Sequence, residues 1–278
     1  MDCLDPEILF AEAQRPAVIG GAGEVRGSVP STMDLAVERA AEGAPDGYVV
    51  AAEYQSEGRG RVGRWQSGVG RGLLVSVILR AKFRSSERML VGIMGAVAAA
   101  EALIEIGLAA RIKWPNDIVG PIDDDGKFFP RKVGGVLVEQ LSRGDAVPIH
   151  ILGIGLNVNQ AGSQLPDNAR MPPASYRTET GKTADRNRLC LYLFRRLDTW
   201  YKKLALGRPE TVLARWKTLS CLLNRRVRMR HRDTVMQGTV LGLSASGHLI
   251  FQEEGGGEKH YFTDRDAKIV LTEERKRR

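Results

Sequence analysis

A chain of 278 residues with 43% hydrophobic content suits one medium domain plus a small one, or a single large one, and has ample material for a core. A formal net charge of +8 favours anionic partners such as nucleotides, nucleic acid or an acidic protein, without choosing among them. Cys3, Cys190 and Cys221 are odd in number and lack metal-ligand spacing, and His150, His231, His248 and His260 form no cluster, which argues against a disulfide framework and a zinc site.

The start, Met-Asp-Cys-Leu-Asp-Pro-Glu, lacks a basic signal-peptide region, and apolar runs such as 91–103 fall short of the roughly 18–20 residues that span a bilayer. The default is a reducing, cytoplasmic setting. Residues 1–23 read as a short helix and a glycine-rich linker, too little for a helix-turn-helix module. Strand pattern begins at Val25. In Pro30-Ser31-Thr32-Met33-Asp34, Ser31 or Thr32 can cap a helix and Asp34 completes an S-x-x-D capping pattern. A helix start also offers hydroxyls and free N–H groups to a small polar ligand. Gly43 closes that helix, and 47–53 reads as a buried strand.

The strand feeds Gln55-Ser-Glu-Gly-Arg-Gly-Arg-Val-Gly-Arg-Trp65, in which three arginines alternate with three glycines. Glycine lets backbone N–H groups approach a ligand closely, and arginine brings a permanent charge on a planar fork of donors suited to phosphate or carboxylate. Trp65 adds a flat face on which a base can stack. A solvated basic turn or a nucleic-acid patch is the plainer reading of this stretch taken alone. An apolar strand follows at 73–79, then an alanine-rich helix over 86–106 with Met89, Ile93, Val97 and Leu103 as core, ended by Gly107.

In Arg111-Ile-Lys-Trp-Pro-Asn-Asp-Ile-Val, strand gives way at Pro115, and Asn116 and Asp117 can bond their own backbone in a sharp turn. Either they serve that turn alone or they face a site at the sheet edge. Residues 120–131 form a loop whose Asp123, Asp124 and Asp125 read as a solvated hairpin tip rather than a cation site. Lys132-Val-Gly-Gly-Val-Leu-Val-Glu139 is a strand with a bare patch, a sign of close approach to the backbone. Lys132 is then an edge lysine or a charge aimed into a pocket. The strand at 149–158 repeats the pattern in Gly153-Ile-Gly-Leu-Asn157. Residues 159–175 read as a mobile loop, and helices follow over about 189–204 and 210–219. From Asn224, short strands at 227–230, 239–243, 248–252 and 260–262 predict a small all-β barrel or sandwich. The charged end, 273–278, reads as a solvated tail.

Ser31-Thr32, Gln55…Gly58-Arg-Gly-Arg61…Gly63-Arg-Trp65, Lys113-Trp-Pro-Asn-Asp117, Lys132-Val-Gly-Gly-Val-Leu-Val-Glu139 and Gly153-Ile-Gly-Leu-Asn157 stand in the order and rough spacing of the biotin protein ligases. The resemblance covers roughly 25–220 and is to the short form of that family, without an N-terminal DNA-binding domain. It implies an α+β fold: a class II synthetase-like, biotin–lipoate ligase core with a mixed sheet flanked by helices, then a small SH3-like β-barrel. Domains are expected at 1–23 (N-terminal helix and linker), 24–221 (catalytic), 222–272 (SH3-like) and 273–278 (basic tail).

The resemblance implies an AMP-forming ligase that joins biotin to ATP as biotinyl-5′-AMP and passes it to a lysine of a biotin carboxyl carrier protein, with Mg2+ accompanying ATP. It allows a homodimer and implies neither specific nucleic acid nor a membrane. By matching position, Ser31, Thr32 and Gln55 would hydrogen-bond the ureido ring, Met33 would also lie against biotin, and Lys132 would contact the reacting carboxyl and phosphate oxygens. Gly58, Arg59, Gly60 and Arg61 would wrap carboxylate and phosphate, and Gly135 and Gly155 would floor the biotin tail. Arg61, Arg64, Trp65, Asn116 and Asn157 would lie on the ATP side. Lys132, Arg59, Arg61 and Asp117 form the implied catalytic set, with Asp117 near the metal or the reacting groups. The sequence departs from the family pattern at Met33, where asparagine is usual, in the single residue before Trp65, and in the longer 120–131 loop. Lipoate ligases are the nearest rival, but their Arg-Arg-x-Ser-Gly-Gly-Gly loop is missing. A biotin-responsive regulator and a non-catalytic binding module are the readings from other classes.

Overall fold

The computed structural model describes residues 3–11, 18–61, 63–83, 87–122, 130–142, 148–166, 171–255, 259–265 and 267–270. Asp123, Asp124, Asp125 and the 273–278 tail lie outside them.

Strands β1 (Gly23–Arg26), β2 (Val49–Ala52), β3 (Gly72–Leu79), β4 (Arg111–Lys113), β5 (Asp117–Val119), β6 (Lys132–Leu141) and β7 (Ile149–Asn157) form one mixed sheet. The order is β1-β2-β3-β7-β6-β5-β4. The pair β1–β2 is parallel and the other neighbours are antiparallel. Every residue of β3 is buried, which explains its unbroken apolar run: the sheet is covered on both faces where that strand lies.

Successive side chains alternate between those faces. Val50 and Ile78 meet helix α2 (Thr32–Ala41) through Met33, Ala36 and Ala40. Val49, Ala51, Val75 and Val77 point the other way, into the larger core. There lie helices α3 (Arg88–Glu105), α5 (Arg186–Ala205) and α6 (Pro209–Leu219). Small residues at Ala96, Ala98, Ala99, Ala100 and Ala102 let α3 sit buried between the sheet and its neighbouring helices. Gly43 and Gly107 end α2 and α3 with φ of 93° and 97°, a conformation in which a β-carbon is costly. Helices α1 (Pro6–Phe10) and α4 (Tyr176–Thr180) are single short turns capped by Asp5 and Ser175.

The segment between β2 and β3 is pinned at both roots by one buried arginine. Arg186 donates from Nη1 to Glu53 Oε2 at 2.7 Å and to the Gly72 carbonyl at 3.1 Å. The expected mobile loop at 159–175 is instead tied down in its described parts. Gln160 Oε1 accepts from the Val158 N–H at 2.7 Å, Ser175 Oγ donates to the Gln160 carbonyl, and Gln160 and Ser175 are buried. Polar composition had suggested solvent; those side chains satisfy backbone groups inside the protein.

The C-terminal region is a separate antiparallel sheet of β8 (Arg226–His231), β9 (Thr234–Leu243), β10 (Leu249–Glu253), β11 (Lys259–Phe262) and β12 (Ala267–Val270), in the order β11-β10-β9-β8-β12. It adds β12, too short and too flanked by charge to stand out in sequence, to the four strands expected. The sheet rests on α3 through the β9–β10 turn, where a β-carbon on Gly247 would lie 2.7 Å from Ile93 Cδ1. Among the described residues no helix is long and apolar enough to cross a membrane.

Candidate active site

The start of α2, the ends of β2 and β3, and the middles of β6 and β7 converge on one cavity. Ser31 caps α2, its Oγ accepting from the Met33 N–H at 3.2 Å. Thr32 donates its backbone N–H to Gln55 Oε1 at 2.7 Å, and its hydroxyl lies 2.9 Å from that oxygen and 2.8 Å from Ser76 Oγ. This leaves the Gln55 amide N–H2 as the outward donor of a fixed polar cluster. The floor is stripped of side chains. Gly135 and Gly155 face each other across β6 and β7, and a β-carbon on Gly155 would lie 2.6 Å from Trp65 Cε2. Met33 packs on Gly153, the next glycine along β7 on that face.

Residues 58–65 form a tight flap over that floor. Trp65 N–H donates to the Gly58 carbonyl at 2.8 Å and Gly60 N–H to the Gly63 carbonyl at 2.9 Å. Gly58 is required by close approach: a β-carbon there would lie 2.4 Å from the Trp65 carbonyl oxygen. Trp65 itself lies on the glycine floor, and its indole N–H is buried without a hydrogen-bond partner among the described residues. With the indole in place the cavity holds about 50 Å³.

Lys132 Nζ stands 2.5 Å from Asp117 Oδ1 and 5.7 Å from the centre of the Trp65 ring. Lys113, itself buried, unlike the part-exposed Lys132, reaches the other carboxylate oxygen at 3.6 Å. Burial alone would raise the Asp117 carboxyl, but the charges of Lys132 and Lys113, the Lys132 hydrogen bond and Arg61 outweigh it and hold it below the ordinary carboxylate value. Two cations on one carboxylate leave net positive charge at the cavity wall, a fit for an anion. They do not fit a protein-built magnesium site: Asp117 is occupied by ammonium groups, and the described residues contain no group of three His, Cys, Asp or Glu suited to a metal.

The flap arginines are held differently. Arg59 pairs with Asp34 of α2 and, at 3.2 Å through Nη2, with Glu139 of β6. Asp34 therefore serves Arg59 and does not complete the capping pattern read from the sequence. Arg61 donates to the backbone carbonyl of Asp264 in the small domain.

The structure brings most of the expected residues together. The cavity is lined from the α2 start and β2 end by Ser31, Thr32, Met33 and Gln55, and from the flap by Arg59, Gly60, Arg61 and Trp65. The sheet contributes Asn116, Lys132, Gly135 and Gly155. Gly58 shapes the flap base, and Asp117 stands behind Lys132. Asn116 is committed to β6, its Nδ2 donating to the Val136 carbonyl at 2.8 Å. Arg64 is exposed. Asn157 is buried off the cavity, donating to the Ala174 carbonyl at 2.9 Å and accepting from Gln160 at 3.1 Å. Sequence reasoning missed Ser76, which holds the Thr32 hydroxyl from β3, although a lone hydroxyl in an otherwise apolar strand was a signal. It also missed the pairing of Lys113, which sits in the motif with Asp117.

Residues 26–159 match the profile of the Biotin/lipoate A/B protein ligase family. The bifunctional ligase/repressor BirA of Bacillus subtilis is 30% identical over 236 residues, covering 84% of this chain and 70% of its own. The biotin–[acetyl-CoA-carboxylase] ligase of Mycobacterium tuberculosis is 30% identical over 207 residues, covering 72% of this chain and 71% of its own. The biotin protein ligase of Aquifex aeolicus, solved in complex with biotin and ATP, superposes with a TM-score of 0.69 at 26% identity over 90% of this chain and 96% of that one. A glycine-floored cavity under an arginine flap is thus matched by relatedness over most of the chain, and the chain belongs to the biotin protein ligase family.

Proposed function

We propose that this chain activates biotin with ATP and transfers it to a lysine of a biotin carboxyl carrier protein or domain. In the first step a biotin carboxylate oxygen attacks the α-phosphorus of ATP, taken as its magnesium complex, and the bond to pyrophosphate breaks. In the second the acceptor's lysine nitrogen attacks the acyl carbon of biotinyl-5′-AMP, AMP leaves with the bonding pair, and the amine loses its proton. The attacking atoms belong to the substrates, so the protein's task is to align two anions and stabilise the charge that builds between them.

The observation that carries this reading is the cationic wall, Lys132 and Lys113 on Asp117 with Arg61 also lining the cavity, set beside a floor of glycines. Thr32, Ser31 and Gln55 would receive the ureido ring, and Gly135 and Gly155 the tail. Lys132 and Arg61 would meet carboxylate and phosphate oxygens, each such charge-assisted bond contributing about 1.5–3 kcal/mol. A cavity of about 50 Å³ is far below the roughly 300 Å³ of a small ligand site, so binding moves Trp65 off the floor. The displaced indole, with Arg64 and Asn116, then takes the nucleotide side, where Asn157 contributes support from behind. Residues 24–221 carry the chemistry and 222–272 form the SH3-like module, in a cytoplasmic setting where ATP and free thiols are maintained.

The test is biotin-dependent exchange of pyrophosphate into ATP by the purified chain, with lipoate in parallel. Exchange with biotin alone supports the reading; exchange with lipoate alone, or with neither, overturns it.

A further inference from the structure

Asp264 lies in the turn between β11 and β12 and makes two different kinds of contact. Its backbone carbonyl accepts from Arg61 Nη1 on the flap, and its carboxylate accepts from Arg88 Nη2 at 2.7 and 2.9 Å at the start of α3. Both members of the Arg88–Asp264 pair are largely shielded, with side chains 19% and 14% exposed. The same half of α3 carries Ile93, against which the β9–β10 turn packs at Gly247. One residue of the small domain therefore grips the core with its charge and the flap with its peptide oxygen.

The division matters physically. A carboxylate on Arg61 would fix the guanidinium and cancel its charge together, as Asp34 and Glu139 do for Arg59. A neutral carbonyl fixes its direction without setting a carboxylate hydrogen bond against its charge. We propose that Asp264 is a positioning residue: braced by Arg88, it presents its carbonyl to Arg61 and so holds the flap arginine, still fully charged, at the mouth of the cavity. The order of the flap is then coupled to the docking of the small domain. This rests on the ligase reading for its effect on chemistry, but not for its effect on the flap itself.

The test uses the full chain and the variants Asp264→Ala, Arg88→Ala, the exchanged pair Arg88→Asp with Asp264→Arg, and Arg61→Ala. Hydrogen exchange is followed at the Gly60 and Trp65 amides, whose bonds close the flap, without ligand and after a thermal melt has shown each variant folded. Asp264→Ala and Arg88→Ala should speed that exchange about tenfold, the exchanged pair should restore it in part, and Asp264→Ala should add nothing in the Arg61→Ala background. Unchanged exchange, or an effect that adds in full to Arg61→Ala, overturns the proposal. In single turnovers with biotin and ATP, the same two variants should release acyl-adenylate into solution several times more readily. Should the parent form no adenylate, the ligase reading fails while the exchange cycle still decides the role of Asp264.

Discussion

Trp65 and Gly155 are in direct contact: the indole lies where a side chain on β7 would otherwise stand, and its N–H is buried with no acceptor among the described residues. A buried, unpaired donor costs about 1–3 kcal/mol, so the flap rests in a conformation that a ligand can improve upon.

Biotin binding should therefore change the environment of Trp65, with a shift in tryptophan fluorescence that Trp65→Phe abolishes. Gly155→Ala should keep the fold and lose at least about tenfold in biotin affinity, because the added methyl occupies the floor. Calorimetric titration of that variant with undiminished affinity would remove the floor from the site.

Lys132→Ala should slow adenylate formation at least about tenfold in single turnovers, since it deletes a cation that lines the cavity beside the glycine floor. Asp117→Asn should act in the same direction by leaving Lys132 and Lys113 without their shared anion. The Asp117 carboxyl is depressed in the folded protein, so its stabilising effect is complete above the ordinary carboxylate value and fades only as pH falls through its lower folded value. The acid limb of the rate between about pH 5 and 7 should consequently be unchanged by Asp117→Asn once the overall loss is scaled out.

Arg186 is fully buried at the root of the flap, where it neutralises Glu53. Arg186→Met should destabilise the protein by up to about 3–5 kcal/mol, because it leaves the partly buried Glu53 carboxylate without its cation. The double variant with Glu53→Gln should recover part of that loss in urea unfolding, and a purely additive result would show that the pair is not coupled.

His150 of β7 is fully buried, with both ring nitrogens lacking a hydrogen-bond partner among the described residues and Phe83 edge-on at 5.8 Å. Burial, reinforced by Arg88 and opposed by Glu87, lowers its pKa below the ordinary histidine value of 6.5. The unfolded chain then binds the proton more readily, so this contribution to stability is whole above pH 6.5 and is lost as pH falls, by at most about 1.4 kcal/mol per pH unit. Thermal melts from pH 7.5 to 5.5 should show that slope in the parent and a weaker one in His150→Leu.

Much of the site was legible because it is written in local chemistry. The Gly-Arg flap, the paired glycines of β6 and β7 and the hydroxyls at the α2 start follow from residue type and spacing. The 159–175 segment misled because polar side chains look alike whether they meet water or, as with Gln160 and Ser175, backbone groups indoors. Helix α4 and strand β12 were missed because four or five residues carry too little periodicity to register.

The chain's own order of residues determined where the backbone is bare, where it turns and where cations gather, since those depend on neighbours a few positions away. Only the tertiary structure decided which acceptor each cation meets. Asp34 and Glu139 lie 25 and 80 positions from Arg59, and Asp264 lies 203 from Arg61. Coulombic and hydrogen-bond energies depend on separation in space, which folding sets and sequence distance does not. That choice gave Arg59 two carboxylates and Arg61 a backbone carbonyl, two identical side chains two residues apart.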